Sequence, residues 1–261
     1  MTAPKKSLGQ HWLKDRDVLA NIADEAGITS ADTVLEIGPG LGTLTSELLR
    51  RAKNVVAVEL DEELARKLPG QFPGKALEVV NQDILSFDVR TLPEEYVVVA
   101  NVPYYITSKI IRLLTTAPNK PRTIVLLIQK EVAQRLGAEA GDMSILAVSA
   151  QIYATVRLGA VVPAALFTPP PKVDSQVVIL EMREQPLIPL EDEKAFFRVV
   201  KAGFIAKRKK LRSSLANGLH ISKEDAEMLL QKHGISPDNR AEDLTIENWR
   251  DIAQDTSRSV V

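Results

Sequence analysis

The stretch Thr33-Val34-Leu35-Glu36-Ile37-Gly38-Pro39-Gly40-Leu41-Gly42 (TVLEIGPGLG) decides the fold of this chain. A short β-branched run ends in an acidic residue and passes at once into closely spaced glycines. That is the pattern of a buried strand turning sharply into a helix, where glycine lets a ligand approach the backbone. Outward from this point the same alternation repeats. Strands are expected over 33–37, 54–60, 76–80, 96–100 and 122–128, with helices over 41–53, 62–68 and 106–114. Near-continuous Val, Ile and Leu runs are what parallel strands covered on both faces require. Two further strands, 155–161 and 177–182, follow a helix near 144–153 and are joined through the stiff Phe167-Thr168-Pro169-Pro170-Pro171, which implies an antiparallel edge hairpin. The expected fold is α/β: a doubly wound, mostly parallel seven-stranded sheet.

After Gln185 the strand pattern stops. Pro186 and Pro189 mark a linker, Glu191 to Asn217 reads as one long helix closed by Gly218, and Ser222 and Thr245 are N-caps of two more helices. The expectation is a domain over 1–185 and a small all-α domain over 186–261.

Composition narrows the classes. The 261 residues are 45% hydrophobic and 26% charged, ordinary for a globular protein of one sizeable and one small domain. No apolar run is long enough for a membrane span, and Met1 to Lys14 lacks the apolar core of a signal peptide, so a cytoplasmic location is expected. The absence of cysteine excludes disulfides and thiolate metal sites. His11, His220 and His233 are scattered, so no metal is expected. Net charge is −1, yet Lys207-Arg208-Lys209-Lys210 with Arg212 forms one basic block, and Lys5, Lys6, Lys14 and Arg16 form another. Both fit solvated faces as well as a polyanion partner.

Three features of the glycine turn argue against a dinucleotide. The spacing is GxGxG, Pro39 donates no amide hydrogen, and Glu36 places a negative charge where a pyrophosphate would lie. A phosphate-free, positively charged cofactor suits the turn of Gly38 and Gly40 better. Glu59 ends the second strand about twenty residues on, where a carboxylate can take both ribose hydroxyls. Asp83, after the third strand, can accept from an adenine amine. Asn101-Val102-Pro103-Tyr104 follows the fourth strand. An exocyclic adenine amine is a poor nucleophile because its lone pair is delocalised. An amide oxygen (Asn101) and a backbone carbonyl beside Pro103 can each accept one N–H and free that lone pair, while Tyr104 stacks on an extruded base. Phe167 is a candidate for the other side of that stack, and Lys172 for a phosphate contact.

Together these segments resemble the KsgA-type rRNA adenine N6,N6-dimethyltransferases. The matching stretches are KSLGQHWL from Lys6, EIGPGLGTLT from Glu36, VELD from Val58, QDIL from Gln82, NVPY, QKEVAQRL from Gln129, FTPPPKVDS from Phe167, RKKLRSSL from Arg208 and RAEDL from Arg240. They run in family order over almost the whole chain. The resemblance implies an S-adenosylmethionine pocket using His11, Leu13, Gly38, Gly40, Glu59, Asp83 and Asn101, a methyltransferase sheet, and a helical RNA- or ribosome-binding domain. It implies as substrate two adjacent adenines in a hairpin loop near the 3′ end of small-subunit rRNA, met in an immature 30S-type subunit by a monomeric enzyme. Departures are Trp12, where phenylalanine is usual, Val102 for the commoner Leu or Ile, and His11, where Asn or His is found. Two alternatives stand beside this reading: a large-subunit rRNA adenine methyltransferase of the macrolide-resistance type, and a ribosome-assembly clamp without essential catalysis.

Overall fold

The structure is a computed structural model and describes residues 4–5 and 8–258. Lys6 of the second basic cluster and Ser7 of the N-terminal motif lie outside the described residues. The chain divides into two compact units, one holding residues up to Gln134 with Ala154–Met182, the other Arg135–Tyr153 with Arg183 onward. The boundary expected at 185 therefore falls three residues earlier. Residues 135–153, expected with the sheet, belong to the helical unit, a placement that their position between two strands conceals.

In the first unit β1 (Trp12–Leu13) precedes α1 (Arg16–Glu25), whose cap Asp15 accepts the amides of Asp17 and Val18. Then come β2 (Thr33–Ile37), α2 (Thr43–Leu48), β3 (Asn54–Glu59), α3 (Glu62–Gln71), β4 (Leu77–Asn81), β5 (Val97–Asn101), α4 (Thr107–Thr116) and β6 (Thr123–Gln129). The chain leaves this unit within α5 (Lys130–Leu136), passes through α6 (Ile145–Gln151), and returns as β7 (Ala154–Val162), β8 (Phe167–Thr168) and β9 (Ser175–Met182). Seven strands form one sheet in the order β4-β3-β2-β5-β6-β9-β7. The pairs β2–β3, β3–β4, β2–β5 and β5–β6 are parallel, and β9 runs antiparallel to β6 and β7. The strand order reverses between β2 and β5, so the crevice for a ligand opens at their carboxyl ends. The apolar runs of β5 and β6 are buried on both faces, as their composition requires.

Two details differ from expectation. The Pro-rich link does more than connect: its Phe167 and Thr168 pair with Leu13 and Trp12 as a separate two-stranded ribbon. And α2 spans only Thr43–Leu48: it starts two residues late because Gly42 at φ +79° is its N-cap, left-handed and outside the helix, and it ends at the cap Leu49. A Cβ there would stand 2.8 Å from Leu68 Cδ1 of α3, so this glycine serves packing, not ligand approach.

The second unit holds α6, α7 (Glu193–Phe204), α8 (Leu211–Leu219), α9 (Lys223–Lys232) and α10 (Ile246–Arg258). The single long helix expected over 191–217 is broken at 205–210. The four consecutive cations Lys207 to Lys210 lie in that break, and α8 packs back on α7. Gly218 was expected to end a helix. Instead it lies within α8, where a Cβ would stand 2.5 Å from Ala202 Cα, and His220 at φ +59° is the cap. Gly203 of α7 makes room for Trp249 of α10, whose Cη2 lies 2.2 Å from a Cβ built there. Ser222 and Thr245 cap α9 and α10 as the sequence implies. Among the described residues no helix is long and apolar enough to cross a membrane.

Candidate active site and cofactor pocket

At the carboxyl ends of β2, β3 and β5 lies a cavity of about 300 Å³. His11, Leu13, Gly38, Gly40, Glu59, Asp83, Asn101, Pro103 and Tyr104, widely separated in sequence, all border it. Its floor is the glycine turn. Gly38 (φ +67°) donates its amide to the Val58 carbonyl at 2.9 Å, and a Cβ on it would meet open space. Gly40 (φ +56°) lies under the Trp12 indole, 3.5 Å from a built Cβ, and donates its amide to Glu59 Oε2 at 3.0 Å.

Acidic groups outnumber basic ones around the cavity. Among the described residues its border carries Glu36, Glu59 and Asp83 against a single lysine, Lys109. Glu59 accepts the amides of Gly40 and Asp61, yet burial outweighs them and holds its carboxyl above the usual range. Asp83 accepts the Leu85 amide at 2.9 Å, which orients it at the end of β4. Glu36 is 1% exposed and neither of its oxygens has a hydrogen-bond partner. Burial pushes its pKa to about 8; the Thr45 hydroxyl and amide oppose the shift, and the Glu59 charge adds to it. The Thr45 hydroxyl stands outside hydrogen-bonding geometry and is itself without a partner. Such a pocket repels phosphate and favours a ligand that carries positive charge. It fits the cofactor class read from the glycine turn.

A strap, residues 8–13, closes one side. Lys5 and Gln10 reach Asp61 at 2.9 and 3.3 Å, and Thr43 Oγ1 donates to the Leu13 carbonyl. Burial alone would raise the Asp61 carboxyl, but the Lys5 ammonium and Gln10 amide hold it below its ordinary value. Within the strap His11 makes three contacts. Its Nδ1 lies 2.7 Å from the Pro169 carbonyl, its backbone carbonyl accepts Asn101 Nδ2 at 3.2 Å, and its ring lies near-parallel to Tyr104 at 6.0 Å. Asn101 thus spends an N–H on the strap and keeps its Oδ1 for a donor in the cavity. Tyr104 is anchored at the far end of its ring, where its hydroxyl meets Ser175 Oγ at 2.7 Å. Burial raises the phenol, so Tyr104 stays neutral.

One residue read from sequence as a stacking partner is not in the cavity. Phe167 is 3% exposed and packs in the core with Leu13, Leu19 and Val177, because the β1–β8 pairing turns it inward. A ring held there is structural. Lys172 is exposed. In the basic block, Lys207, Arg208 and Lys209 lie exposed in the break between α7 and α8. Lys210 and Arg212 instead pair with acids: Lys210 with Asp238 at 2.8 Å, Arg212 with Glu227 at 2.7 Å and Asp238 at 3.3 Å. Three contributors escaped the sequence reading of the site. Gln10, Thr43 and Ser175 all stand inside recognised motifs, but no spacing rule predicts their tertiary partners.

Comparisons with known proteins identify the family of the chain. The profile of the ribosomal RNA adenine dimethylase family matches residues 1–257. A protein of Dehalococcoides mccartyi strain CBDB1, called ribosomal RNA small subunit methyltransferase A, is 43% identical over 256 residues, 95% of this chain and 87% of that one. One of the same description from a Geobacillus species is 41% identical over 94% of this chain and 89% of its own length. Among solved structures, a dimethyladenosine transferase from Plasmodium falciparum superposes with a TM-score of 0.82 at 27% identity, covering 96% of this chain and 99% of its own. The 23S rRNA methyltransferase ErmE superposes at 0.78 and 30% identity, covering 93% and 98%. Family and fold imply a methyl donor of the S-adenosylmethionine type. From the glycine turn to the helical unit, the chain belongs to the ribosomal RNA adenine dimethylase family.

Proposed function

We propose that this chain dimethylates N6 of two adjacent adenines in a hairpin loop near the 3′ end of small-subunit rRNA, using S-adenosylmethionine. The observation that carries the chemistry is the orientation of Asn101. With Nδ2 donated to the His11 carbonyl, the side-chain oxygen is the atom left to accept an adenine N–H. The second N–H goes to the Val102 carbonyl, adjoining Pro103. The carbonyl of Pro103 itself already accepts the Ile106 amide at 3.3 Å. Two acceptors pull the amine towards tetrahedral geometry and turn its lone pair into the cavity. Tyr104, anchored by Ser175, stacks on the base. No general base is needed, because an N-methylated ammonium loses its proton readily.

When bound, the cofactor supplies a methyl group on a positively charged sulfur. The residues that would hold it are the backbone at His11, Leu13, Gly38 and Gly40, the Glu59 carboxyl for the ribose hydroxyls and Asp83 for the adenine amine, with Glu36 offsetting its positive charge. His11 takes part through its backbone and the packing of its ring, since its Nδ1 is occupied by Pro169. The exposed cations Lys172, Lys207, Arg208 and Lys209 contact rRNA phosphates. The setting is the cytoplasm, with a monomeric enzyme acting on an immature 30S-type subunit.

Incubating the protein with unmethylated small subunits and labelled S-adenosylmethionine tests this. Mass spectrometry is expected to find dimethyladenosine in small-subunit rRNA. Asn101→Ala should lower turnover about 10²–10³-fold, typical for losing one oriented polar contact to a reacting group, with RNA binding retained. Methyl transfer to large-subunit rRNA alone would sink the substrate assignment in favour of an ErmE-like one. An Asn101→Ala protein that supports ribosome maturation as well as wild type would favour a clamp.

A further inference from the structure

One aromatic side chain at the cavity mouth plays no part in the chemistry above. Tyr105 is 61% exposed, although it borders the cavity directly beside Tyr104. Tyr105 sits in the 3₁₀ turn Tyr104–Ile106 that leads into α4. On the other side of the mouth Gly9 of the strap has φ +62°, and a Cβ built on it would stand 3.4 and 3.5 Å from Cε1 and Cδ1 of Tyr105. Those are adjacent atoms of one ring edge, so the strap borders the ring along that edge.

The helix that follows Tyr105 carries cations at its start. Lys109 lies four residues on and also borders the cavity, and Arg112 follows three residues later. Ser108, Lys109 and Arg112 are all exposed, and no acidic residue occurs between Tyr104 and Thr116. The charge complements phosphate. Lys109 and Arg112, on the helix that follows, supply charge of the sign that a phosphate needs. A ring with a cation close by is how single-stranded nucleic acid is held, base on ring and phosphate on cation. Extruding one base also strips its neighbour of a stacking partner, and a ring at the mouth replaces it.

We propose that Tyr105 and Lys109 form a subsite for the nucleotide next to the target adenine, its base stacked on Tyr105 and its phosphate on Lys109. The subsite rests on the reading of the cavity as an adenine N6-methylation site. It accounts for how a second base can wait beside the one in the cavity.

Steady-state methyl transfer tests it, with unmethylated small ribosomal subunits as the probe and the full-length protein as wild type, Tyr105→Leu, Tyr105→Trp and Lys109→Gln. Tyr105→Leu is expected to lower kcat/KM for subunits roughly five- to a hundredfold, the range of a lost base–aromatic stack. Its affinity for S-adenosylmethionine should be unchanged. Tyr105→Trp should recover activity to within about threefold of wild type, since any flat ring offers the same face. Lys109→Gln should flatten the dependence of log KM on log salt by about 0.7–1, the share of one phosphate. Tyr105→Leu acting at the wild-type rate, or Tyr105→Trp no better than Tyr105→Leu, overturns the subsite alone. Wild-type protein that labels no small subunit overturns the function reading and the subsite with it.

Discussion

Replacing Glu36 by Gln should make the first unit less sensitive to alkaline pH, and the structure sets the size of the effect. Glu36 is fully buried, neither oxygen has a partner, and its pKa is about 8 against an ordinary 4.5. In the unfolded chain it ionises near 4.5, while in the folded chain it keeps its proton to about 8. Below 4.5 both states are protonated and nothing is lost. Between the two values only the folded state holds the proton, so stability falls as pH rises, at about 1.4 kcal/mol per unit. Above 8 the loss levels off, at an upper bound of roughly 5 kcal/mol. Glu36→Gln removes the titration and keeps the shape. Urea unfolding at several pH values measures it. A Trp249→Phe background leaves Trp12, beside Gly40 in the first unit, as the sole indole. From pH 5 to pH 8 the variant should gain about 4 kcal/mol relative to its parent. Stability curves running parallel within about 1 kcal/mol over that range would refute the assignment of an uncompensated buried carboxyl. A cationic ligand beside Glu36 favours its ionised form, so affinity for S-adenosylmethionine should rise towards pH 8 in wild type and stay flat in Glu36→Gln.

Two further outcomes follow from the helical unit. Gly203→Ala puts a methyl group 2.2 Å from the Trp249 indole, which is fully buried. Overpacking of this kind should lower the stability of that unit by about 1–3 kcal/mol or more, seen as an earlier loss of Trp249 fluorescence in urea. In the basic block, Lys207→Gln and Lys209→Gln should each weaken rRNA binding and reduce its salt slope by about 0.7–1. Lys210→Gln should do markedly less, because Asp238 already offsets that charge. Equal effects at Lys209 and Lys210, measured by filter binding over a salt series, would show that the ion pair opens for RNA.

The alternation of buried strands and helices, the edge hairpin, the helical tail and the convergence of Gly38, Glu59, Asp83 and Asn101 on one crevice were all legible in the sequence. The reason is physical. A parallel strand buried on both faces must be continuously apolar, and in a doubly wound sheet polar residues after strand ends have one place to go. Local chemistry decides such features, so local reading recovers them.

Other features depended on partners distant in sequence. Phe167 reads equally well as a stacking ring or as core, and its pairing with Leu13, over 150 residues away, made it core. Gly218 has the residue type of a helix end, but the close approach of Ala202 explains it. Lys207 to Arg212 is one basic run in sequence, and Asp238 and Glu227 divide it into free and offset charge. Asn101 offers both an acceptor and a donor, and the His11 carbonyl chooses between them. The sequence by itself determined which chemistry the chain carries and on which strand ends it sits. Only the tertiary structure decided how each group is aimed, because orientation belongs to the contact between two residues and neither one encodes it alone.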